Sequence, residues 1–366
     1  MAASTQPESS ASNASGQPSR KSMPVATVLK WVGGAAAVVS LLLALNQVTG
    51  LVQNFRIHHK EFSEAMKAGG HQQERGDYPA AFDSFKRATE LDPIDRQAQQ
   101  REAQVAMLWL ENAHSSKDKS FTDLANQLVP VLDKSLTDAK GPEAADILAH
   151  IGWANFLRYR ENPADRDLVA RSYHDALKID PQNPYALAMA GHWILWNNGK
   201  VEDANREFSA ALASGRERTF VRELQLSAFN NEHSDTEDAQ LLRIANEMRV
   251  NQEPIKAAYA NNIYNRVFYF RTSDLGGLGE VLTGSGLKPD EILATYDWLA
   301  AQSAGDQDVR REREFIVAFL AEMAGNNAEA LAKFKALQTE LQGQTTNSLL
   351  IDVGGAIKQL SGGNAQ

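Results

Sequence analysis

Polar and aromatic side chains lie next to each other in the segment NNIYNRVFYFR, residues 261–271. Amide and guanidinium groups can hydrogen-bond to a peptide backbone, and aromatic rings can pack against peptide side chains. Such a helix can line a binding groove, and its candidate binding residues are Asn262, Asn265, Arg266 and Tyr269. The alternative interpretation is a solvated helix surface without a ligand.

The sequence contains none of the common catalytic or metal-binding motifs. The sequence has no Gly-x-Ser-x-Gly nucleophile motif, no His-Glu-x-x-His metal motif and no Walker phosphate-binding loop. Cysteine is absent, which excludes disulfides, thiolate metal sites and cysteine nucleophiles. His58 and His59 are adjacent, but they follow an apolar segment directly, which favours a position at a membrane interface. We therefore predict no catalytic residue, no metal site and no cofactor.

The charge distribution argues against nucleic acid as a partner. The 366 residues carry a formal net charge of −9, whereas residues 1–55 are slightly basic. The acidic excess therefore lies in the body of the chain, which has no concentrated group of lysines and arginines to bind phosphates.

The first 55 residues differ in composition from the rest. Residues 1–24 are rich in serine and too polar to build a core, so we predict a disordered tail. Residues 25–55 include an uncharged stretch, which begins at Trp31 and is long enough to cross a bilayer as a helix. We predict a single transmembrane helix over 25–55. A cleaved signal peptide and a buried core helix are the alternatives.

The orientation of this predicted span is not decided by charge, because three lysines or arginines lie close to each of its ends. We expect the body on the extracytoplasmic, periplasmic side, since a long folded domain can translocate largely regardless of its charge. Gly33 and Ala37 form a small-xxx-small pair, which makes self-association through the span a further possibility.

A repeated pattern runs along the body: a small or branched residue, an aromatic residue four positions later, and a small or aliphatic residue three positions after that. These positions lie on one stripe of a helix, where small residues let a neighbouring helix approach and the aromatic ring fills the remaining space. A glycine suited to a turn precedes three copies, at Gly76, Gly199 and Gly325. The four copies are Ala81, Phe85 and Ala88; Val169, Tyr173 and Ala176; Ala204, Phe208 and Ala211; and Ala330, Phe334 and Leu337.

Together with Pro93 and Pro181, which follow two of the copies, this pattern resembles the tetratricopeptide (TPR) repeat, a helix–turn–helix unit of 34 residues. The clearest units are 62–93, 144–181 and 182–215. The resemblance is to bacterial-type TPR proteins, and it implies an all-α fold: a right-handed α-solenoid over 56–271, with further TPR-like helices and a cap over 290–361. A weaker copy, Ala125, Val129 and Leu132, lies 44 residues from the copy on either side of it, and this spacing departs from that of the family and lengthens some turns.

The resemblance also implies a binding surface, because in this family the first helix of each unit lines a groove for partner peptides. The alternative is that the aromatic rings at these positions only fill space between helices. Family members that grip a C-terminal carboxylate use Lys and Asn at places where this chain has other residue types, so that mode is not indicated. The predicted partner groove consists of Trp153, Phe156, Tyr185, His192 and Trp196.

Between the two predicted blocks, residues 272–289 contain five glycines. We predict that this segment interrupts the helices and separates the N-terminal repeats from the C-terminal ones. Upstream of it, Thr236 is expected to cap a helix that begins with Glu237 and Asp238.

Three hypotheses about function remain. The first is a membrane-anchored TPR scaffold or adaptor without catalysis, which binds a protein or peptide partner. The second is an enzyme or small-ligand-binding protein with a pocket in the helices of residues 252–303. The third is an assembly subunit that associates with itself. A deep pocket with converging titratable groups would favour the second hypothesis, and an open helical groove would favour the first.

Overall fold

The computed structural model describes residues 57–113, 120–163, 166–230, 234–302, 309–342 and 348–362. Within these ranges the chain forms helices joined by turns and contains no β-strand, so the all-α prediction is confirmed for the part that the structure describes. The chain divides into two compact units, Met1–Ala98 and Gln99–Gln366.

The first unit is described from residue 57 and contains a helical hairpin. Asp77 caps the second helix of this hairpin, since its side chain accepts a hydrogen bond from the backbone N–H of Ala80 (3.3 Å). Gly76 turns the chain with φ of 74°, a conformation that glycine adopts without steric cost. The helices are α1, which covers residues 57–74, α2 (Tyr78–Leu91) and the start of α3 (Arg96–Glu111).

The second unit continues with helices, most of which pack mainly against a neighbour along the chain, whereas some pack mainly against the helix two places away. Its helices are α4 (Phe121–Leu136), α5 (Pro142–Glu161), α6 (Arg166–Ile179), α7 (Pro184–Trp196), α8 (Val201–Ala213), α9 (Arg218–Ala228), α10 (Asp235–Val250), α11 (Ala257–Val267), a 3₁₀-helix (Tyr269–Arg271), α12 (Leu275–Gly284), α13 (Pro289–Gln302), α14 (Val309–Met323), α15 (Asn327–Leu341) and α16 (Ser348–Gly362).

Side-chain caps fix the starts of several of these helices. Asn183 caps α7 by accepting a hydrogen bond from the N–H of Ala186 (2.9 Å). The cap of α10 is Ser234, whose hydroxyl accepts from the N–H of Glu237 (3.2 Å). The expectation that Thr236 would be this cap is wrong, because α10 begins two residues earlier than predicted.

The residues of the repeated pattern are all buried, with exposures of 2% or less. In three hairpins the aromatic ring of the second helix packs directly against a glycine of the first. A Cβ atom added to Gly69 would lie 2.8 Å from the Phe85 ring, and one added to Gly152 would lie 2.5 Å from the Tyr173 ring. A Cβ atom added to Gly191 would lie 3.1 Å from the Phe208 ring. The hairpins therefore close on a ring that occupies the space of a missing side chain.

The glycine-rich segment 272–289 is helical over most of its length. Asp274 caps α12 by accepting a hydrogen bond from the N–H of Gly277 (3.1 Å), and α12 packs against α10. A Cβ atom added to Gly284 would lie 3.2 Å from Ala239 of α10. Four of the five glycines therefore belong to a short helix, and the fifth, Gly286, lies in the turn that follows with φ of 69°. The division of the chain at this segment stays a prediction.

The predicted transmembrane helix, residues 25–55, and the predicted tail, residues 1–24, lie outside the described residues. Among the helices that the structure describes, none combines the length and the apolar character needed to span a bilayer.

Candidate functional site

A small open pocket lies where α5, α7, α9 and α11 meet. Its volume is about 70 Å³. Four of the five residues of the predicted partner groove line it. The lining residues are Glu111, Trp153, Phe156, Arg160, His192, Trp196, Phe220, Glu223, Leu224, Ser227 and Tyr259.

The wall from α5 and α7 is a set of aromatic rings in mutual contact. Trp153 is held in place because its indole N–H donates to the backbone oxygen of Leu110 (3.1 Å). The ring centroid of Phe156 lies 4.9 Å from that of Trp153 and 5.3 Å from that of Trp196. Trp153 and Phe156 are buried, whereas Trp196 is half-buried. The wall is therefore rigid at its base and accessible at Trp196.

His192 lies among these rings, 5.2 Å from Trp153 and 5.1 Å from Phe156 between ring centroids. It is 5% exposed, and its Nδ1 has no hydrogen-bond partner among the described residues. Burial, with a smaller contribution from the positive charge of Arg160, lowers the pKa of His192 from 6.5 to about 3. His192 is therefore a neutral ring in the wall of the pocket.

Arg160, in the last turn of α5, lies at the edge of the pocket. Its guanidinium carbon is 5.0 Å from the ring centroid of Phe121 and 5.1 Å from that of Trp196, and both are distances at which a cation is attracted to an aromatic face. Burial lowers the pKa of Arg160, opposed by the neighbouring charge of Glu161. Arg160 itself is exposed, so its guanidinium is accessible from outside.

Two carboxylates also line the pocket, and both have basic neighbours. Glu111 Oε1 lies 2.9 Å from Nε2 of His150, and Glu223 accepts a hydrogen bond from the ammonium group of Lys256 (2.7 Å). Burial raises the pKa of Tyr259, as does the negative charge of Glu223. Both carboxylates are therefore engaged within the protein.

Tyr185, the fifth residue of the predicted groove, lies beside the pocket instead of in its wall. Its ring packs between those of His150 (4.7 Å) and Phe220 (4.9 Å). Burial raises the pKa of Tyr185, with a further contribution from Glu111. Because Phe220 lines the pocket, Tyr185 supports the wall from behind.

The second predicted set is placed differently, and none of its four residues lines this pocket. Arg266 is 6% exposed and donates to Asn230 (2.7 Å), and its guanidinium lies 2.5 Å from a carboxylate oxygen of Asp238 on α10. Asn262 and Asn265 are half-buried, and Tyr269 is exposed. Arg266 therefore joins α11 to α10, and the role of this set in binding stays a prediction.

A larger and more open cleft, of about 640 Å³, lies between α12, α14 and α16. It overlaps the region 252–303 in which a small-ligand pocket was considered. Its titratable lining residues are Glu280 and Glu322. Burial raises the pKa of Glu322, and its Oε2 has no hydrogen-bond partner among the described residues. Two carboxylates in an open cleft do not form an acid–base pair with a positioned nucleophile or a cation.

Metal binding finds no support in the described ranges, because no group of three or more His, Asp or Glu side chains is placed to hold an ion there.

Sequence reasoning missed the contributions of α9 and α11 to the pocket. Phe220, Leu224 and Ser227 follow the same i, i+4, i+7 spacing as the repeats, so one face of α9 could have been recognised. Arg160 and Glu223 carry no comparable signal, because single charged residues on helices are usually solvated.

The chain is similar to two solved TPR structures. One is a tetratricopeptide repeat protein from Parabacteroides merdae, with 14% identity over 80% of this chain and 99% of that chain and a TM-score of 0.34. The other is the TPR2AB domain of yeast Sti1 in complex with pHSP90, with 12% identity over 83% of this chain and 99% of that chain and a TM-score of 0.25. Both TM-scores are low, so no property of this chain is inferred from either structure. No protein-family model and no curated protein matches it.

Proposed function

We propose that this chain is a TPR-like scaffold or adaptor that binds a segment of a partner protein in the α5–α7–α9–α11 pocket. The observation that carries the proposal is the convergence of aromatic side chains from several helices on one open pocket. Trp153 and His192 directly follow Gly152 and Gly191, the glycines that let their hairpins close. The packing of each hairpin thus places the residue after the glycine, Trp153 or His192, in the wall of the same pocket.

The size of the pocket favours a peptide anchor over a small molecule. Small-molecule sites usually enclose roughly 300–1,000 Å³, whereas this pocket holds about 70 Å³. That volume accommodates part of one side chain. Binding would then depend on a single anchor residue seated against Trp196, with the neighbouring peptide residues lying over Phe220 and Tyr259.

Photo-crosslinking in cells tests this proposal. A photoreactive phenylalanine analogue replaces either Phe220 in the pocket or Ser209, an exposed residue on α8, in the full-length chain. We expect a protein adduct from position 220 and none of the same mass from position 209. The adduct should weaken when Trp196→Ala is added, because the anchor loses its main accessible surface.

Two results would contradict the proposal. The first is an adduct of equal yield from positions 220 and 209, which would indicate contact without a specific site. The second is an adduct from position 220 that Trp196→Ala leaves unchanged, because the captured segment would then not depend on the pocket.

We further propose that residues 25–55 anchor this bacterial-type scaffold in a membrane, with the repeats on the periplasmic side and without catalytic activity. The uncharged stretch that begins at Trp31 supports the anchor. The absence of a recognised catalytic pattern from the sequence supports a binding role. The span also carries Gly33 and Ala37, the pair proposed to permit self-association.

Reporter fusions at the C-terminus test the orientation. A periplasmic reporter should be active and a cytoplasmic reporter inactive; the opposite pattern would overturn the periplasmic placement. Light scattering of the full-length chain in detergent should give a larger mass for the native chain than for Gly33→Leu if the span associates. Equal masses would argue against self-association through this pair.

A further inference from the structure

Arg160 is an arginine whose donors are not used within the described part of the protein. A guanidinium group carries five N–H donors in a fixed plane. Arg160 contacts the rings of Phe121 and Trp196, and no described carboxylate lies within ion-pair distance of it. Arg222, in contrast, donates to Glu253 (2.7 Å) and lies 3.0 Å from Glu247. Arg160 thus differs from the arginines that hold helices together.

The neighbouring carboxylate is occupied elsewhere, which explains why Arg160 lacks a partner. Glu161 accepts hydrogen bonds from the backbone N–H groups of Phe121 and Thr122, both at 2.8 Å, and so caps the start of α4. The hydrogen bonds from Thr122 lower the pKa of Glu161. This cap also fixes Phe121 in position under the guanidinium of Arg160.

These contacts orient the guanidinium beside the pocket. Aromatic contacts restrict its position, while its N–H edges are not consumed by hydrogen bonds or ion pairs. A planar guanidinium of this kind is suited to two parallel hydrogen bonds with a carboxylate or a phosphate group. Arg160 lines the same pocket as the rings of Phe156 and Trp196, so the cation and the aromatic pocket form one surface.

We propose that Arg160 binds an anionic side chain of the partner segment, next to an apolar anchor residue that enters the pocket. This inference rests on the proposed function, because it names the chemistry of the segment that the pocket would take. The partner would therefore carry a short motif in which an apolar residue lies close to Asp or Glu.

A carboxylate fits this surface better than a phosphate group. Glu111 and Glu223 also line the pocket, and each adds a negative charge close to the ligand. A phosphate group carries about −1.5 to −2 charges near pH 7 and is repelled by these carboxylates more strongly than a single carboxylate. The ligand is accordingly a carboxylate, which the proposal assigns to an Asp or Glu side chain of the partner segment.

Selection from a random peptide library tests the inference. A library of twelve-residue peptides, displayed with their C-termini fused so that only side-chain carboxylates are presented, is selected on the full-length chain held in detergent. We expect enrichment of peptides with Asp or Glu within two positions of a large apolar residue. The same selection on Arg160→Gln should lose the acidic preference, and Arg171→Gln, which changes an exposed arginine of α6, should keep it.

Enriched peptides are then made as free peptides with amidated C-termini, and their affinities are measured. Replacing the acidic residue by Gln should weaken binding at least tenfold to the native chain and little to Arg160→Gln. Arg160→Lys should also bind more weakly than the native chain, since an ammonium group cannot reproduce the planar contact. Helix content by circular dichroism checks that each variant is folded.

The outcomes separate this inference from the proposed function. Enrichment of apolar peptides without an acidic preference, lost in Trp196→Ala, would overturn the role of Arg160 and leave the pocket standing. An acidic preference that survives Arg160→Gln would also overturn it. Tighter binding of a phosphoserine peptide than of the glutamate peptide would reject a carboxylate ligand in favour of phosphate. No enrichment by the native chain would contradict the proposed function itself.

Discussion

On α5 and α7, adjacent residues lie on different faces of the helix: one face packs within its own hairpin, and the other lines the pocket. Gly152 and Gly191 face the second helix of their own hairpins, where the rings of Tyr173 and Phe208 leave no space for a Cβ atom of ordinary contact distance. The next residues, Trp153 and His192, line the open pocket. One face is filled by side chains of the protein, whereas the other keeps unfilled volume and a guanidinium without an ion-pair partner among the described residues.

This difference teaches how a repeat can separate stability from recognition. The packing face needs small residues and one ring, and these requirements recur in three hairpins. The pocket face is free to vary because hairpin closure does not depend on it. Substitutions on the first face should therefore act on folding, and those on the second should act on binding.

The largest effect should follow from Phe208→Ala on the packing face. Phe208 is fully buried, and removing such a ring from a core usually costs about 3–5 kcal/mol of unfolding free energy. Urea denaturation followed by circular dichroism measures this loss. A cost below that of Trp196→Ala would break the distinction between the two faces.

A second effect is a dependence of folding stability on pH. It should come from His192, which lines the pocket but is buried. Its pKa of about 3 in the folded chain lies below the usual value of 6.5. The unfolded chain therefore takes up a proton below about pH 6.5 while the folded chain does not, so stability is full above that pH and falls as the pH decreases. Between pH 7 and pH 5 we expect a loss of about 2 kcal/mol.

Denaturation curves at several pH values measure this slope. In His192→Gln the slope between pH 7 and pH 5 should become clearly smaller. An identical slope in His192→Gln would show that another group titrates in this range.

A smaller effect should distinguish two adjacent glycines of α1. A Cβ atom at Gly69 would lie 2.8 Å from the ring of Phe85, whereas one at Gly70 would meet nothing within 4 Å. Gly69→Ala should therefore destabilise the chain by about 1–3 kcal/mol. Gly70→Ala should stabilise it by up to about 1 kcal/mol, because alanine favours helix more than glycine. Equal changes in thermal midpoint would contradict the close packing at Gly69.

The smallest effect on stability should follow from Trp196→Ala on the pocket face. Trp196 is half-buried, so its loss should cost about 1 kcal/mol of burial. Binding of the partner segment should nevertheless fall at least tenfold. Denaturation and affinity measured on the same preparation show whether the two properties separate.

The sequence allowed prediction of the packing face more fully than of the pocket. The spacing of Ala81, Phe85 and Ala88 predicts which side of the helix is buried, and the contact between the Phe85 ring and Gly69 gives the reason. The pocket walls from α5 and α7 were found through the family resemblance. The position of Arg160 could not be found in this way, because it depends on a cap that Glu161 makes with a residue 40 positions earlier in the chain.

The most direct test of the account is the affinity of the crosslinked partner for three forms of the full-length chain: native, Trp196→Ala and Ile179→Ala. Ile179 is an apolar residue of α6 that is 44% exposed and does not line the pocket. The account predicts at least a tenfold loss for Trp196→Ala and no change for Ile179→Ala. Equal affinities for all three forms would show that the partner binds elsewhere and would contradict the assignment of the pocket.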